Sequence, residues 1–295
     1  MSLTGLGLWT AQFDFQPAEI VRDTIQEVEN LGYGSMWIGE NLGREPISQS
    51  GILLSATQRL TVATGIANLW ARDPLSMSAA HHTLSEAYPG RFILGLGVSH
   101  SHLVNKVRGL QYNRPLETTK RYLLEMDALA QQYRAVAADN TVRLLAALGP
   151  RMLRLAAENA DGAHTYLVPP EHTADARRLL GRGRLLVPEQ AVVLNTDRSQ
   201  ARELARRHVR RYLSLANYTN NLRRLGYTTE DFENDGSDRL IDALVAWGDE
   251  TAIARRVDQH RQAGADHVCL QVLDTDFRGL PLPQWRTLAA IIPAP

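Results

Sequence analysis

Residues 60–98, LTVATGIANLWARDPLSMSAAHHTLSEAYPGRFILGLGV, carry the pattern that decides the fold. Leu60–Ala67 (LTVATGIA) is an apolar, β-branched run of strand length. Pro74 then opens a helix that extends to about Tyr88, and Arg91–Val98 (RFILGLGV) is a second apolar run. Neither run alternates with polar residues, as expected for parallel strands covered on both faces. Strand, helix and strand in this order form one β-α-β unit.

The rhythm continues in both directions. Gly5–Thr10 (GLGLWT) reads as the first strand; Pro17 starts a helix whose face is traced by Ile20, Ile25, Val28 and Leu31 before Gly32 ends it. Ser35–Glu40 (SMWIGE) is the second strand, which makes Leu60–Ala67 and Arg91–Val98 the third and fourth. Pro115 begins a helix through about Tyr133, Thr141–Leu148 (TVRLLAAL) is the fifth strand, and a helix runs from Pro150 to about Asn159. Ala163–Val168 (AHTYLV) is the sixth strand, and Gln190–Asn195 (QAVVLN), with Leu185–Val187 just before it, the seventh. Asp197–Trp247 reads as a mostly helical insertion after strand 7, broken at Gly226 and Gly236. Ala252–Gly264 is a helix, His267–Leu273 (HVCLQVL) the eighth strand, and a last helix lies near Trp285–Ile291. Eight strands alternating with helices favour an α/β fold of the (β/α)8 TIM barrel type, one domain over residues 1–295, rather than a doubly wound sheet. No GxGxxG follows the first strand, which argues against a dinucleotide-binding fold.

Composition removes several function classes. Lysine plus arginine and aspartate plus glutamate each number 32, so no overall positive charge serves nucleic-acid binding. The single cysteine, Cys269, excludes an intrachain disulfide and any cysteine-based metal site; between Val268 and Leu270 it reads as a buried, inert thiol. Lys106 and Lys120 are the only lysines and neither sits at a strand end, which leaves Schiff-base chemistry without a candidate. With no apolar run of about 18 residues and no signal-like N-terminus, a cytoplasmic protein without a membrane partner is expected.

In such a barrel the chemistry gathers at the C-terminal strand ends. Strand 2 ends in Gly39-Glu40-Asn41, strand 3 in Gly65-Ile66-Ala67-Asn68, strand 4 in Gly95–His100 and strand 5 in Leu148-Gly149-Pro150-Arg151; strand 6 carries His164 and Tyr166. Glu40 closes an apolar strand, where a carboxylate needs a partner; it is either a site residue or an acceptor for loop backbone. Gly95 and Gly97 permit close backbone approach. Gly149-Pro150 at a helix start offers free N–H groups and a positive dipole end suited to phosphate, with Arg151 adding charge. Trp9, Trp37 and Trp70 flank these ends, and Trp9 and Trp70 are candidates for a substrate pocket.

Together with WIGENLGREP (37–46), the stretches ATGIANLWARDP (63–74), LSEAYPGRFILGLGVSH (84–100), LGPRMLRLAAENADGAH (149–164) and AGADHVCLQVL (263–273) carry a resemblance that covers nearly the whole chain. The sequence resembles the bacterial-luciferase-like superfamily, and within it the coenzyme F420-dependent oxidoreductases. The resemblance implies a (β/α)8 barrel that binds a flavin or deazaflavin at the C-terminal strand ends. It implies a non-prolyl cis peptide at Gly65–Ile66, in a bulge backing the ring, with Ala67 and Asn68 beside it. By position Glu40 matches an acid near the ring's pyrimidine side. Gly97, Val98, Ser99, Tyr166 and the segment Leu148, Gly149, Pro150 and Arg151 fall on stretches that hold the rest of the cofactor. The chain departs from some members, which have a histidine after the strand-2 acid where Asn41 stands and a glutamate near His100. His100 is thus either the proton-transfer group, with Glu40 the second catalytic candidate, or a loop histidine that binds phosphate or water. The family also implies a homodimer, for which Glu45–Thr57, mostly apolar or small, is a suitable face.

The wording GIANLWARDP and GLGVSH favours F420 and hydride transfer to or from a small organic substrate; FMN and monooxygenation are the alternative. A non-catalytic flavin-binding barrel is a third reading. A metal-dependent hydrolase, suggested by Ser99-His100-Ser101-His102 and by Asp274 after strand 8, is disfavoured because strand 1 has no His-x-His and strand 5 ends in neither histidine nor lysine. No metal site is expected.

Overall fold

The computed structural model describes residues 3–292. Its strands are β1 (Gly7–Thr10), β2 (Ser35–Ile38), β3 (Thr61–Thr64), β4 (Ala67–Asn68), β5 (Phe92–Gly97), β6 (Val142–Ala146), β7 (Gly162–Thr165), β8 (Leu185–Val193), β9 (Val245–Trp247) and β10 (Cys269–Val272). The helices are α1 (Ala18–Asn30), α2 (Pro46–Ser55), α3 (Pro74–Ala87), α4 (Pro115–Ala130), α5 (Pro150–Asn159), α6 (Pro170–Leu180), α7 (Arg198–Leu213), α8 (Ala216–Arg224), α9 (Asp238–Leu244), α10 (Glu250–Gln262) and α11 (Leu282–Leu288). Eight strands pair in the order β1-β2-β3-β5-β6-β7-β8-β10, all parallel, and β10 pairs back onto β1, which closes a (β/α)8 barrel.

The pleat sorts each strand into two layers. Trp37, Ala63, Ile93, Leu144, Val187 and Cys269 fill the barrel interior. Their neighbours Met36, Val62, Leu94, Leu145, Leu186 and Leu270 point outward against the helices. Both faces are therefore dry, and this is why the strands read as unbroken apolar runs. In α1 the buried face is Val21, Ile25 and Val28, while Ile20 is exposed; the stripe runs one position later than Ile20 suggests. Glu29 near the end of α1 accepts backbone N–H bonds from Gln58 (3.0 Å), Arg59 (2.6 Å) and Leu60 (2.8 Å), fastening the helix to the entry of β3.

Several elements differ from the sequence reading. Leu60–Ala67 is not one strand: β3 stops at Thr64, the Gly65–Ile66 peptide is cis, and the chain resumes as β4 beside β5. Leu185–Val193 is one strand, not two pieces. Pro188 is tolerated inside it because its register partner, Thr165, is the last residue of β7, where that ladder ends. Two helices absent from the sequence reading, α2 and α6, start at Pro46 and Pro170. Val245–Trp247 is a strand rather than the end of a helix. Since β10 already occupies one edge of β8 at Gln190–Val192, β9 pairs on the opposite edge, beyond the end of β7.

The segment after β8 forms the helical insertion. Ala201, Ala205 and Val209 of α7, Leu222 of α8 and Leu240, Ile241 and Leu244 of α9 make a cluster seated on Ala191 and Val193. This cluster brings α7 and α8 over the C-terminal rim on the β7 side. Among the described residues no helix is long and apolar enough to cross a membrane.

Candidate functional site

Glu40, one residue past Gly39 at the end of β2, is the polar centre of one side of the rim. Its Oε2 accepts from the Asn68 backbone N–H and from Arg72 Nη1, both at 2.8 Å; its Oε1 accepts from Arg108 Nη2 at 2.8 Å. Arg72 also pairs with Glu45, whose carboxylate caps α2 through the Ile47 and Ser48 N–H groups. Both oxygens of Glu40 are thus committed to holding β4 and the Arg108 loop in place. The Asn68 side chain accepts from the Trp70 N–H (3.0 Å), and Trp70 Nε1 donates to the Val98 carbonyl (3.0 Å). Trp70 is half-buried against Tyr112.

The Gly65–Ile66 step forms a ledge inside this frame. Trp9 Nε1 donates to the Gly65 carbonyl at 2.9 Å, and the Gly65 N–H donates to Ile38 at 2.7 Å. A Cβ at Gly97 would lie 2.8 Å from Ile66 Cγ1 and 2.9 Å from Ala146 Cβ. The room left by this glycine is filled by the ledge itself, so its close approach is to protein. Ser99, next along, has a left-handed backbone (φ 56°), as does Leu167 (φ 53°) past the end of β7. Non-glycine residues in that region are uncommon and cluster at ligand sites.

His100 extends from the β5 end into an aromatic group supplied by the insertion. Its ring lies 5.9 Å from Tyr218 and 6.0 Å from His102. Burial, with His102 adding to it, holds its pKa below the ordinary 6.5, so the imidazole is neutral at pH 7. Tyr166 packs on Trp9 at 5.5 Å; its hydroxyl bonds Tyr212 Oη (2.9 Å) and donates to Gln271 Oε1 (2.8 Å). Trp9 and Trp70 lie at the rim, whereas Trp37 is fully buried in the barrel, stacked on His164 at 4.5 Å.

Across the rim, Gly149-Pro150 begins α5, with no side chain capping its first N–H groups. The Arg224 guanidinium, from the last residue of α8, lies beside it: Nη2 is 3.3 Å from where a Gly149 Cβ would stand and donates to Asn221 Oδ1 at 3.1 Å. Among the described residues Arg224 meets no carboxylate, and burial pulls its pKa down. His172 donates Nε2–H to the Leu148 carbonyl (2.8 Å) and so fixes the segment that leads into the helix. Arg151 is exposed at the same helix start. A helix N-terminus beside a guanidinium has the donors and the charge that suit an anion.

Most of the strand-end residues read from sequence thus stand at the rim; Trp37 and His164 do not, and lie buried inside the barrel. Glu40 joins Asn68 directly; His100 joins the Tyr166 group through Tyr218 and Tyr212; Gly149, Pro150 and Arg151 stand in a separate corner beside Arg224. Sequence reasoning missed Arg72, Arg108, Arg224, Gln271, Tyr212 and Tyr218, which come from loops, from the insertion and, for Gln271, from β10. The one available signal was the arginine pair Arg223-Arg224 closing a helix. No group of three or more His, Cys, Asp or Glu residues is arranged to hold a metal ion among the described residues.

A closed parallel barrel of eight strands, with polar and aromatic side chains gathered at its C-terminal end, places the chain in the class of (β/α)8 barrels. A sequence profile of the luciferase-like monooxygenase family matches residues 3–267, and the chain belongs to that family. A Mycobacterium tuberculosis protein named as a candidate coenzyme F420-dependent oxidoreductase is 30% identical over 118 residues, which is 40% of this chain and 34% of that one. A 5,10-methylenetetrahydromethanopterin reductase of Methanolobus tindarius is 26% identical over 163 residues, 50% of this chain and 49% of that one. The chain therefore spans half or less of the length of these relatives. An F420-dependent secondary alcohol dehydrogenase, solved with an F420–acetone adduct, superposes with a TM-score of 0.77 at 15% identity over 99% of this chain and 98% of that one. The FMN-bound oxygenating constituent of 3,6-diketocamphane monooxygenase of Pseudomonas putida superposes at 0.71 and 14% identity over 98% and 96%. At these identities the likeness is one of fold.

Proposed function

We propose that the chain is an oxidoreductase that binds coenzyme F420 at the C-terminal rim and exchanges a hydride with a small organic substrate. One observation carries this reading: the uncapped α5 N-terminus and the Arg224 guanidinium meet, in an arrangement suited to a phosphate, at the barrel rim that also bears the Gly65–Ile66 ledge. The F420-dependent relatives favour that cofactor among those of the family.

The residues fit such a group. Gly149, Pro150 and Arg151 with Arg224 would hold its phosphate. The ledge of Gly65, Ile66, Ala67 and Asn68 would back its ring, with Gly97, Val98 and Ser99 along the adjoining strand end. Glu40 keeps this ledge in register through Asn68. When bound, the deazaflavin accepts or donates two electrons and one proton as hydride at a ring carbon. A second proton must then reach or leave the substrate heteroatom for the charge to balance. His100 is the imidazole nearest to that task. Trp9 and Trp70 wall the pocket and, with Tyr166, exclude water from it.

FMN is the second reading, favoured by the FMN-bound neighbour of the same fold. Titration of the protein with F420 and with FMN, followed by fluorescence, tests the choice. Micromolar or tighter F420 binding and weaker FMN binding are expected; equal or stronger FMN binding overturns the F420 reading.

A further inference from the structure

Glu189 lies inside the barrel and has no part in the site described so far. It is fully buried on β8, and its side chain faces inward: Val187, two residues before it, and Cys269, its register partner on β10, both belong to the interior cluster. Its Oε2 accepts the backbone N–H of Leu167 at 3.0 Å, while its Oε1 is buried with no hydrogen-bond partner. Leu167 is the left-handed residue that follows Tyr166. Glu189 thus holds from below the turn that carries Tyr166 against Trp9. A buried oxygen without a partner in a native structure calls for an explanation.

We propose that Glu189 is a positioning residue whose neutral, protonated form keeps the Tyr166–Leu167 turn in its ligand-binding geometry, so that ligand affinity depends on its proton. The inference rests on the reading of the rim as a cofactor site. An ionised carboxylate at this depth needs donors for both oxygens. The hydroxyls that sense its charge belong to Tyr166, Tyr212 and Tyr218, which pack as one aromatic group; the first two are also engaged with each other and with Gln271. Ionisation would draw one of them, or water, toward Oε1 and so disturb the aromatic group that sets the Tyr166 ring.

No cation offsets the charge, and burial pushes the Glu189 carboxyl up to about 8, so it holds its proton at pH 7 and ionises above. Its titratable neighbours stay silent between pH 7 and 9. From β7, burial brings His164 down to about 4 and lifts Tyr166 well above its ordinary value. From α7, burial and Arg211 bring His208 down to about 3, and burial pushes Tyr212 up to about 12. Burial likewise raises Tyr218 from α8 and Cys269 from β10 well above their ordinary values.

The test has two arms, each on wild type and Glu189→Gln from pH 6.5 to 9.5. Glutamine accepts the Leu167 N–H but carries no titrating proton. In the first arm, near-ultraviolet circular dichroism of the ligand-free protein reports the rim aromatics; a transition centred near pH 8 is expected in wild type and absent in the variant. In the second, F420 and FMN are titrated. Because only the protonated fraction is competent, wild-type affinity should fall about tenfold per pH unit above the midpoint, while Glu189→Gln stays flat relative to it. Glu189→Met, also proton-free, should lose the transition as well and replaces Glu189→Gln if that variant does not fold. Superposable dichroism profiles in wild type and variant overturn the inference, as does parallel pH dependence of binding. If neither cofactor binds at any pH, the cofactor reading falls and the dichroism arm alone decides the role of Glu189.

Discussion

Arg224 shows how one side chain can make a helix start suited to phosphate rather than a plain turn. Among the described residues its guanidinium meets no carboxylate, so an anion at α5 would gain a charge-assisted bond worth about 1.5–3 kcal/mol. Arg224→Gln should weaken F420 binding by roughly 10- to 150-fold with little change in unfolding midpoint, which parallel titration and denaturation would check. At His100 the sign of the pH effect follows from its environment. An acid works in its protonated form, and this imidazole protonates only as pH falls through a value below 6.5. Turnover carried by His100 should therefore rise toward the acid side. His100→Ala should lose that rise and about 10²–10⁴-fold of rate, with cofactor affinity little changed. Wild-type single-turnover rates in His100→Ala would make His100 a bystander. The catalytic reading of Glu40 is narrower than its place at a strand end suggests, since both oxygens already accept from Asn68, Arg72 and Arg108. Its expected contribution is to the shape of the ledge.

At the scale of elements, the barrel is fastened by single carboxylates that reach from one segment to the backbone of the next. Glu29 joins α1 to the start of β3 through three backbone N–H bonds. Burial raises its pKa, but these bonds outweigh it and the net shift is downward from 4.5. Its stabilisation is then complete above the ordinary value and is lost as pH falls through the lowered one. Glu29→Gln should cost about 1.5–3 kcal/mol at pH 7 and flatten the acid side of the stability profile, as denaturant unfolding at pH 3–7 would show. The legibility of elements follows from the range of the signal. Helices that begin at Pro74, Pro115 and Pro150 could be read from a local rule, and all three start there. The apolar runs Leu185–Val187 and Gln190–Asn195 read as two pieces of one strand; only the end of β7 beside Pro188 explains why β8 continues between them.

For the whole molecule, assembly remains a matter of which surface is left over. Ile47, Leu53 and Leu54 of α2 are buried by the chain itself, so the apolar character of Glu45–Thr57 mostly serves the internal core. The outward face consists of Ser48, Ile52 and Ser55, with exposed Leu42 nearby. Small residues allow close helix packing, and we propose that this face pairs two copies. Light scattering at micromolar concentration should give about twice the 32.8 kDa chain mass, and Ile52→Arg should return it to the single mass. A single mass for the wild type would remove the proposal.

Alternation of apolar runs with proline-started helices is a short-range property, and by itself it determined the parallel barrel and the rim where the candidate residues stand. The partners of those residues were out of its reach. Arg72 and Arg108 lie 32 and 68 positions from Glu40, and Gln271 lies 105 from Tyr166. The proton on Glu189 is likewise invisible in the letter E, because it arises from complete burial without a cation, a condition set by β7, β10 and the insertion together. Periodicity dictates which way a side chain points, since it follows from backbone geometry along one segment. What that side chain meets, and hence its charge, depends on segments distant in the chain, and only the closed barrel brings them together.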